Sequence, residues 1–378
     1  MGNPLVDLQQ QGQSVWLDYI RRKALLSGDV KQLIENDGLR GMTANPAIFQ
    51  AAIAAGDDYD GTIETMVKAG AEPVAIYEQL AVEDIQEACD QFRGVYDSTD
   101  GLDGYVSLEV SPLLAHNTEG TLEEARRLWA WVNRPNLMIK VPGTEAGVPA
   151  IETLLAEGIN VNVTLLFAIE AYDAVAWAYI RALERRVAEG RPVDRIASVA
   201  SFFVSRVDVL IDPTLDKKAA ATSDAAEKAK LEGLRGKAAI ANARLAYQSF
   251  KKIFGDARFA ALKARGARVQ RPLWASTSVK NPAYSDLLYA DSLIGPDTVD
   301  TMPRETLEAF RDHGTVKNTV EDDIDGAKAT LADLEAAGVS MKAVTDQLEK
   351  EGVEKFEQAF DALLKGIIEK QTKLLARA

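Results

Sequence analysis

NLMIKVPGT (residues 136–144) and INVNVTLLF (159–167) are short runs that are apolar on both faces, the pattern of strands buried in a parallel sheet. Reading outward, the same kind of run recurs as SVWLDYI from Ser14, GLRGMTANP from Gly38 and YVSLEV from Tyr105. It returns as RIASVASFFVSR from Arg195 and RVQRPLWASTSVK from Arg268, with a weaker eighth instance, TVDTM, from Thr298. Amphipathic helices separate them. AIYEQLAVEDIQEACDQF (75–92) places Ile76, Leu80, Ile85, Ala88 and Phe92 on one face, and Ile169 to Val187 repeats the spacing. A third helix is expected after Thr121-Leu-Glu-Glu124, which fits a capping box. About eight strands, each followed by a helix, predict a (β/α)₈ TIM barrel rather than the alternative, a doubly wound open sheet.

Two stretches break the rhythm. DPTLDKKAAATSDAAEKAKLEGLRG (212–236) reads as a partly helical insertion in the loop after the sixth strand, and residues 325–378 as a helical cap on the barrel. One domain is expected over 1–378, with the barrel spanning about 14–320.

Charge narrows the function classes. Forty-three basic against 57 acidic residues leave a net charge of −14, so nucleic acid and anionic membranes are unfavourable partners. A phosphorylated ligand would need a locally cationic site. One cysteine, Cys89, excludes an intramolecular disulfide framework and sits at a core spacing. With only His116 and His313, a His-rich metal centre or a His-based triad is not expected. The N-terminal MGNPLVDLQQQGQS lacks the basic-then-apolar pattern of a signal peptide, and no apolar stretch approaches the ~18 residues of a membrane span. A cytoplasmic protein is the expectation.

Barrel enzymes place their chemistry at the C-terminal ends of the strands. Polar residues at or near those ends are Asp18, Asn45, Glu109, Lys140, Thr164, Ser201 and Ser276. Singly, each has a bland reading: Asp18 as a helix cap, Asn45 as a turn initiator before Pro46, Glu109 as a solvated edge. Lys140 stands out, because an ammonium in a buried strand must snorkel, pair or give up its proton. A neutral lysine amine attacks carbonyls to form a Schiff base. Glu109 on the preceding strand suits either view, as ion-pair partner or as acid/base. For an anion, Asn281-Pro282 reads as a helix start, with Ser276 and Lys280 just ahead of it. Arg206 offers a second cation, or else a salt bridge to Asp208 or Asp212.

Three motifs in order resemble those of transaldolases: Gly41-Met-Thr-Ala-Asn-Pro46, Leu137-Met-Ile-Lys-Val-Pro-Gly-Thr-Glu-Ala-Gly147 and Asn160-Val-Asn-Val-Thr-Leu-Leu-Phe167. The similarity runs from about Val15 to His313. The 212–236 insertion and RPLWASTSVKNPAYSD resemble the longer bacterial branch, some of whose members are fused to a glucose-6-phosphate isomerase. The resemblance implies transfer of a dihydroxyacetone unit from sedoheptulose 7-phosphate to glyceraldehyde 3-phosphate in the pentose phosphate pathway. It implies no cofactor and no metal, sugar phosphates as partners, and a monomer or homodimer.

Carried over by motif, Lys140 would be the Schiff-base nucleophile, Glu109 and Thr164 would position the proton-shuttling water, and Asp18 would take the hydroxyl proton at cleavage. Asn45 and Asn162, supported by Thr43, would hold hydroxyls of the three-carbon unit. Ser201 would bind substrate, and Arg206 and Ser276 the phosphate. Ala44 stands where the family usually has Ser or Thr. Ser278 stands where many members have arginine, and Lys280 is the expected substitute. A neighbouring reading is a fructose-6-phosphate aldolase-like lyase that releases dihydroxyacetone. That family typically has glutamine at Glu109 and tyrosine at Phe203.

Overall fold

Eight parallel strands close on themselves in sequence order: β1 (Gln13–Asp18), β2 (Gly41–Thr43), β3 (Tyr105–Glu109), β4 (Leu137–Pro142), β5 (Val161–Leu166), β6 (Ser198–Phe203), β7 (Arg271–Ala275) and β8 (Thr298–Met302). The computed structural model describes residues 2–375. All eight runs singled out in the sequence are strands, and the weakest, TVDTM, pairs with β1 to close the (β/α)₈ barrel. Nearly every strand residue is buried, as a sheet covered on both faces requires. Gly41 on β2 is dictated by packing: a Cβ there would lie 2.5 Å from the Trp16 indole, which fills that space inside the barrel.

The N-terminal end of the barrel is plugged by a polar cluster. Arg271 on β7 pairs with Asp103 at 3.0 Å and donates to Ser14 and to the Thr298 carbonyl. Asp103 also accepts from Ser14 and the Trp16 indole. One level up, Ser201 donates to Asn162 and Asn162 to Ser107, tying β6, β5 and β3 together across the interior.

Two expectations, the capping box at Thr121 and the helix start at Asn281, are corrected. The helix expected to open with a capping box at Thr121 begins one turn earlier, at Thr118, where the Asn117 side chain accepts from the Gly120 amide. Thr121 instead donates to the Leu114 carbonyl, and Glu124 accepts from the Ser111 amide, pinning the preceding loop. The 212–236 stretch follows β6 and is partly helical, as expected. The helix starting after β6 runs Ser205–Ala221, straight through Pro213, and a second helix, Ala225–Gly233, follows. No helix starts at Asn281. Residues 281–284 form a turn in which Asn281 accepts from the Ala283 amide, and the only helix of that loop is the short Leu288–Ser292.

After β8 come the helices Arg304–His313, Ile324–Ala336 and Met341–Leu375. The cap expected over 325–378 is therefore helical as far as residue 375, and 376–378 lie outside the described residues. The last helix crosses the C-terminal mouth. Phe360 packs edge-on against Tyr77, which packs against Phe49, and Lys370 reaches Asp60 and the Gly56 carbonyl. No helix among the described residues is long and apolar enough to cross a membrane.

Candidate active site

Because all eight strands point the same way, their last residues converge on one mouth. A cavity of about 230 Å³ opens there, lined by Asp18, Thr43, Asn45, Lys140, Thr164, Ser201, Arg206, Ser276 and Lys280, all singled out in the sequence. Two more candidates stand behind the lining. Asn162 lies under Ser201, whose hydroxyl it accepts at 2.7 Å, and Glu109 stands beside Lys140.

Lys140 and Glu109 are register partners on β4 and β3, so their side chains emerge side by side. Both are about 5% exposed, and their charged atoms are 3.4 Å apart. Neither Glu109 oxygen accepts a well-aligned hydrogen bond. Burial dominates: it pushes the Glu109 carboxyl up to about 7, against the pull of the nearby ammonium. The Lys140 ammonium donates to the Ala44 carbonyl at 3.3 Å and stands 5.8 Å from the Phe356 ring of the C-terminal helix. Position 44 therefore contributes backbone, and its missing hydroxyl leaves this contact untouched.

Asp18 caps no helix. Its carboxylate accepts from Thr43 at 2.7 Å, and Thr43 in turn meets Thr301 of β8. Desolvation raises the Asp18 carboxyl above the usual range, opposed by Lys140, by the Thr43 bond and by Arg206. Asn45 does cap the helix Pro46–Ala54, accepting from the Ile48 amide, yet it also lines the cavity. Thr164 is buried with its hydroxyl unpartnered. It sits where the β5–β6 register shifts, next to Leu165, whose φ is +60°. A left-handed branched residue is strained, and such strain concentrates at functional sites.

The far side of the cavity is built differently, from a helix start and a loop. Arg206, in the first turn after β6, stacks over Phe203 at 5.1 Å. It makes neither of the salt bridges its neighbours suggested. Asp208 accepts from Tyr289 and the Ala239 amide, and Asp212 from Tyr284 and the Gly236 amide. One Arg206 nitrogen is buried with no partner, and burial pulls the guanidinium below its ordinary pKa, with Asp18 and Glu351 opposing. Ser276 adopts φ +57° and faces Ser205 at 3.0 Å. Lys280 is exposed, and its ammonium turns back to the Ser278 hydroxyl at 2.7 Å.

Sequence reading missed Thr301, Pro303 and Phe356 in the lining. Thr301 was within reach, being the penultimate residue of an expected strand. Phe356 was not, since it arrives from a helix beyond the barrel.

Fold and site define a (β/α)₈-barrel enzyme with a buried lysine–carboxylate pair at its C-terminal mouth, equipped for carbonyl chemistry. Residues 15–367 match the Transaldolase/Fructose-6-phosphate aldolase family, and the chain belongs to it. It is 49% identical over 374 residues to a transaldolase of Trichodesmium erythraeum, covering 98% of both chains. It is 50% identical over 377 residues to transaldolase 2 of a Nostoc species, covering 99% of both. A transaldolase of Thermobifida fusca is 49% identical over 365 residues, covering 96% of this chain and 97% of its own.

Proposed function

We propose that this chain is a transaldolase of the pentose phosphate pathway, moving a dihydroxyacetone unit from sedoheptulose 7-phosphate to glyceraldehyde 3-phosphate. The observation that carries the reading is the buried Lys140 amine beside a raised carboxyl, with Asp18 in the same cavity. Lys140 attacks the ketose carbonyl, and the carbinolamine loses water as an iminium forms. Glu109 holds a proton readily near neutral pH, so it suits the relay of protons to and from the carbinolamine, through a water shared with Thr164. Asp18 takes the proton of the C4 hydroxyl while the C3–C4 bond breaks. The electron pair moves into the iminium, leaving an enamine on Lys140 and free erythrose 4-phosphate. The enamine then adds to the incoming aldehyde, Asp18 returns the proton, and hydrolysis frees fructose 6-phosphate.

Asn45 and Asn162, with Thr43, suit the hydroxyls of the three-carbon unit, and Ser201 the chain between. Arg206, Ser276 and Lys280 suit the phosphate. The unpartnered Arg206 nitrogen supports this, because a buried donor calls for an acceptor. The lyase reading has less support: position 203 presents a phenyl ring engaged with Arg206 and no hydroxyl to discharge the enamine.

The test is turnover of fructose 6-phosphate with and without erythrose 4-phosphate, combined with borohydride trapping. Acceptor-dependent turnover and a three-carbon adduct on Lys140 are expected. Equal turnover without acceptor would make the enzyme a lyase, and an adduct on another lysine would remove Lys140 from its role.

A further inference from the structure

The stretch that departs most from barrel rhythm, 212–236, ends against the loop that carries Lys280, and one carboxylate joins them. Asp212, buried in the helix Ser205–Ala221, accepts the Gly236 amide at 3.0 Å with one oxygen and the Tyr284 hydroxyl at 2.6 Å with the other. The first bond spans 24 residues and closes the excursion on itself. The second ties that closure to the β7 loop, four residues beyond Lys280. Gly236 is shaped to the same contact. Its φ is +68°, and a Cβ there would lie 2.9 Å from the Tyr284 ring. One turn earlier, Asp208 repeats the arrangement with the Ala239 amide and the Tyr289 hydroxyl. Between helix and loop lies a second cavity, of about 220 Å³, and Lys280 lines both it and the active-site cavity.

We propose that Tyr284, held by Asp212 and Gly236, is a positioning residue that sets where Lys280 stands in the active-site mouth, so that the excursion serves as a brace for the phosphate-binding loop. The physical reason lies in the loop itself. Residues 276–287 form no helix or strand, so without a fixed point the lysine would spread over many rotamers and lose contact with the anion. Asp212 supplies that point with a buried carboxylate, whose bond to a hydroxyl is stronger than a neutral one. The proposal rests on the transaldolase reading for its ligand, a sugar phosphate.

Tyr284→Phe removes one hydroxyl and keeps the ring. It should raise KM for glyceraldehyde 3-phosphate by about three- to tenfold, the range of one lost hydrogen bond, with kcat unchanged. KM for glyceraldehyde, which has no phosphate, should stay within about twofold, since the lost bond touches no part of that acceptor. In a Lys280→Ala background, Tyr284→Phe should add nothing, because its effect runs through the lysine. Equal penalties for both acceptors, additive effects of the two substitutions, or no effect of Tyr284→Phe would each overturn the proposal. Should Tyr284→Phe not fold, Gly236→Ala, whose Cβ would crowd the same end of the ring, carries the same comparison. Borohydride trapping on Lys140 is indifferent to all these variants, so its failure would count against the transaldolase reading alone.

Discussion

Two buried cation–carboxylate pairs stand at opposite ends of the same barrel, and they are finished to different degrees. At the N-terminal end, Arg271 and Asp103 are 3.0 Å apart, and Ser14, the Trp16 indole and the Thr298 carbonyl take up most of their remaining hydrogen-bonding capacity. Only the Arg271 Nε lacks a partner. At the C-terminal end, Lys140 and Glu109 are 3.4 Å apart, and neither carboxylate oxygen has a well-formed hydrogen bond. A saturated pair is held in place. An unsaturated one keeps lone pairs and an amine available, at a cost in stability. Under the proposed function, the first pair would hold the barrel and the second would react.

The contrast breaks most visibly at Lys140. Lys140→Ala should lower turnover by about 10⁴-fold or more, as loss of a covalent nucleophile does, with little loss of thermal stability, because the Glu109 carboxyl left behind, already raised to about 7, takes up a proton rather than standing as an unpaired charge. A marked loss of stability, measured by calorimetry, would mean that the upper pair is structural after all. Asp18→Asn should cost about 10²–10⁴-fold in turnover while borohydride still traps an adduct, because only the cleavage step loses its base. Loss of trapping would move Asp18 to the imine-forming step.

At the lower pair the expected signs reverse. Asp103→Ala should cost about 3–5 kcal/mol in stability, since it strands a buried guanidinium. At temperatures where the variant remains folded, kcat should match the parent. Urea unfolding beside an activity assay separates the two, and a kcat loss without destabilisation would erase the division of labour.

The pH dependence sharpens the same point. Burial raises Glu109 from 4.5 to about 7, so between those values the folded chain keeps a proton that the unfolded chain has released. Stability from this group is therefore present at low pH and falls as pH rises toward 7. Glu109→Gln should flatten part of that fall. Asp300, likewise raised to about 7 by burial, and Asp208, raised to about 6, contribute to the fall in both proteins. Unfolding free energies at pH 5 and pH 8 should converge differently for parent and variant, and parallel values would show that Glu109 is not raised.

The smallest effect belongs to the phosphate side, where the cation is exposed. Lys280→Ala should raise KM for glyceraldehyde 3-phosphate by about tenfold, the low end for a charge-assisted contact in solvent, and leave glyceraldehyde nearly unaffected. A similar change for both acceptors would leave the anion to Arg206 and Ser276.

Legibility in the sequence followed the regularity of the backbone. The strands and the seven candidates at their ends could be read because a two-residue alternation and a strand end locate a side chain without knowledge of its neighbours, while Thr43 and Asn162 came from the family motifs. Loops offered no such rule. The helix start assigned to Asn281 rested on an Asn-Pro pair, and the chain uses that pair in a turn whose amide is satisfied locally. The capping box at Thr121 failed for a related reason: Asn117, one turn earlier, took the cap, and tertiary contacts claimed Thr121 and Glu124.

What the sequence determined alone was the barrel, the order of its strands and most of the polar residues at its mouth, because each depends on local periodicity and on a single direction for all the strands. Only the tertiary structure decided that Glu109 and Lys140 stand side by side, that Arg206 is left without a salt bridge, and that Phe356 closes over the lysine. Those facts depend on register and on contacts between segments up to hundreds of residues apart. Burial acts on such neighbourhoods, and no local pattern encodes them.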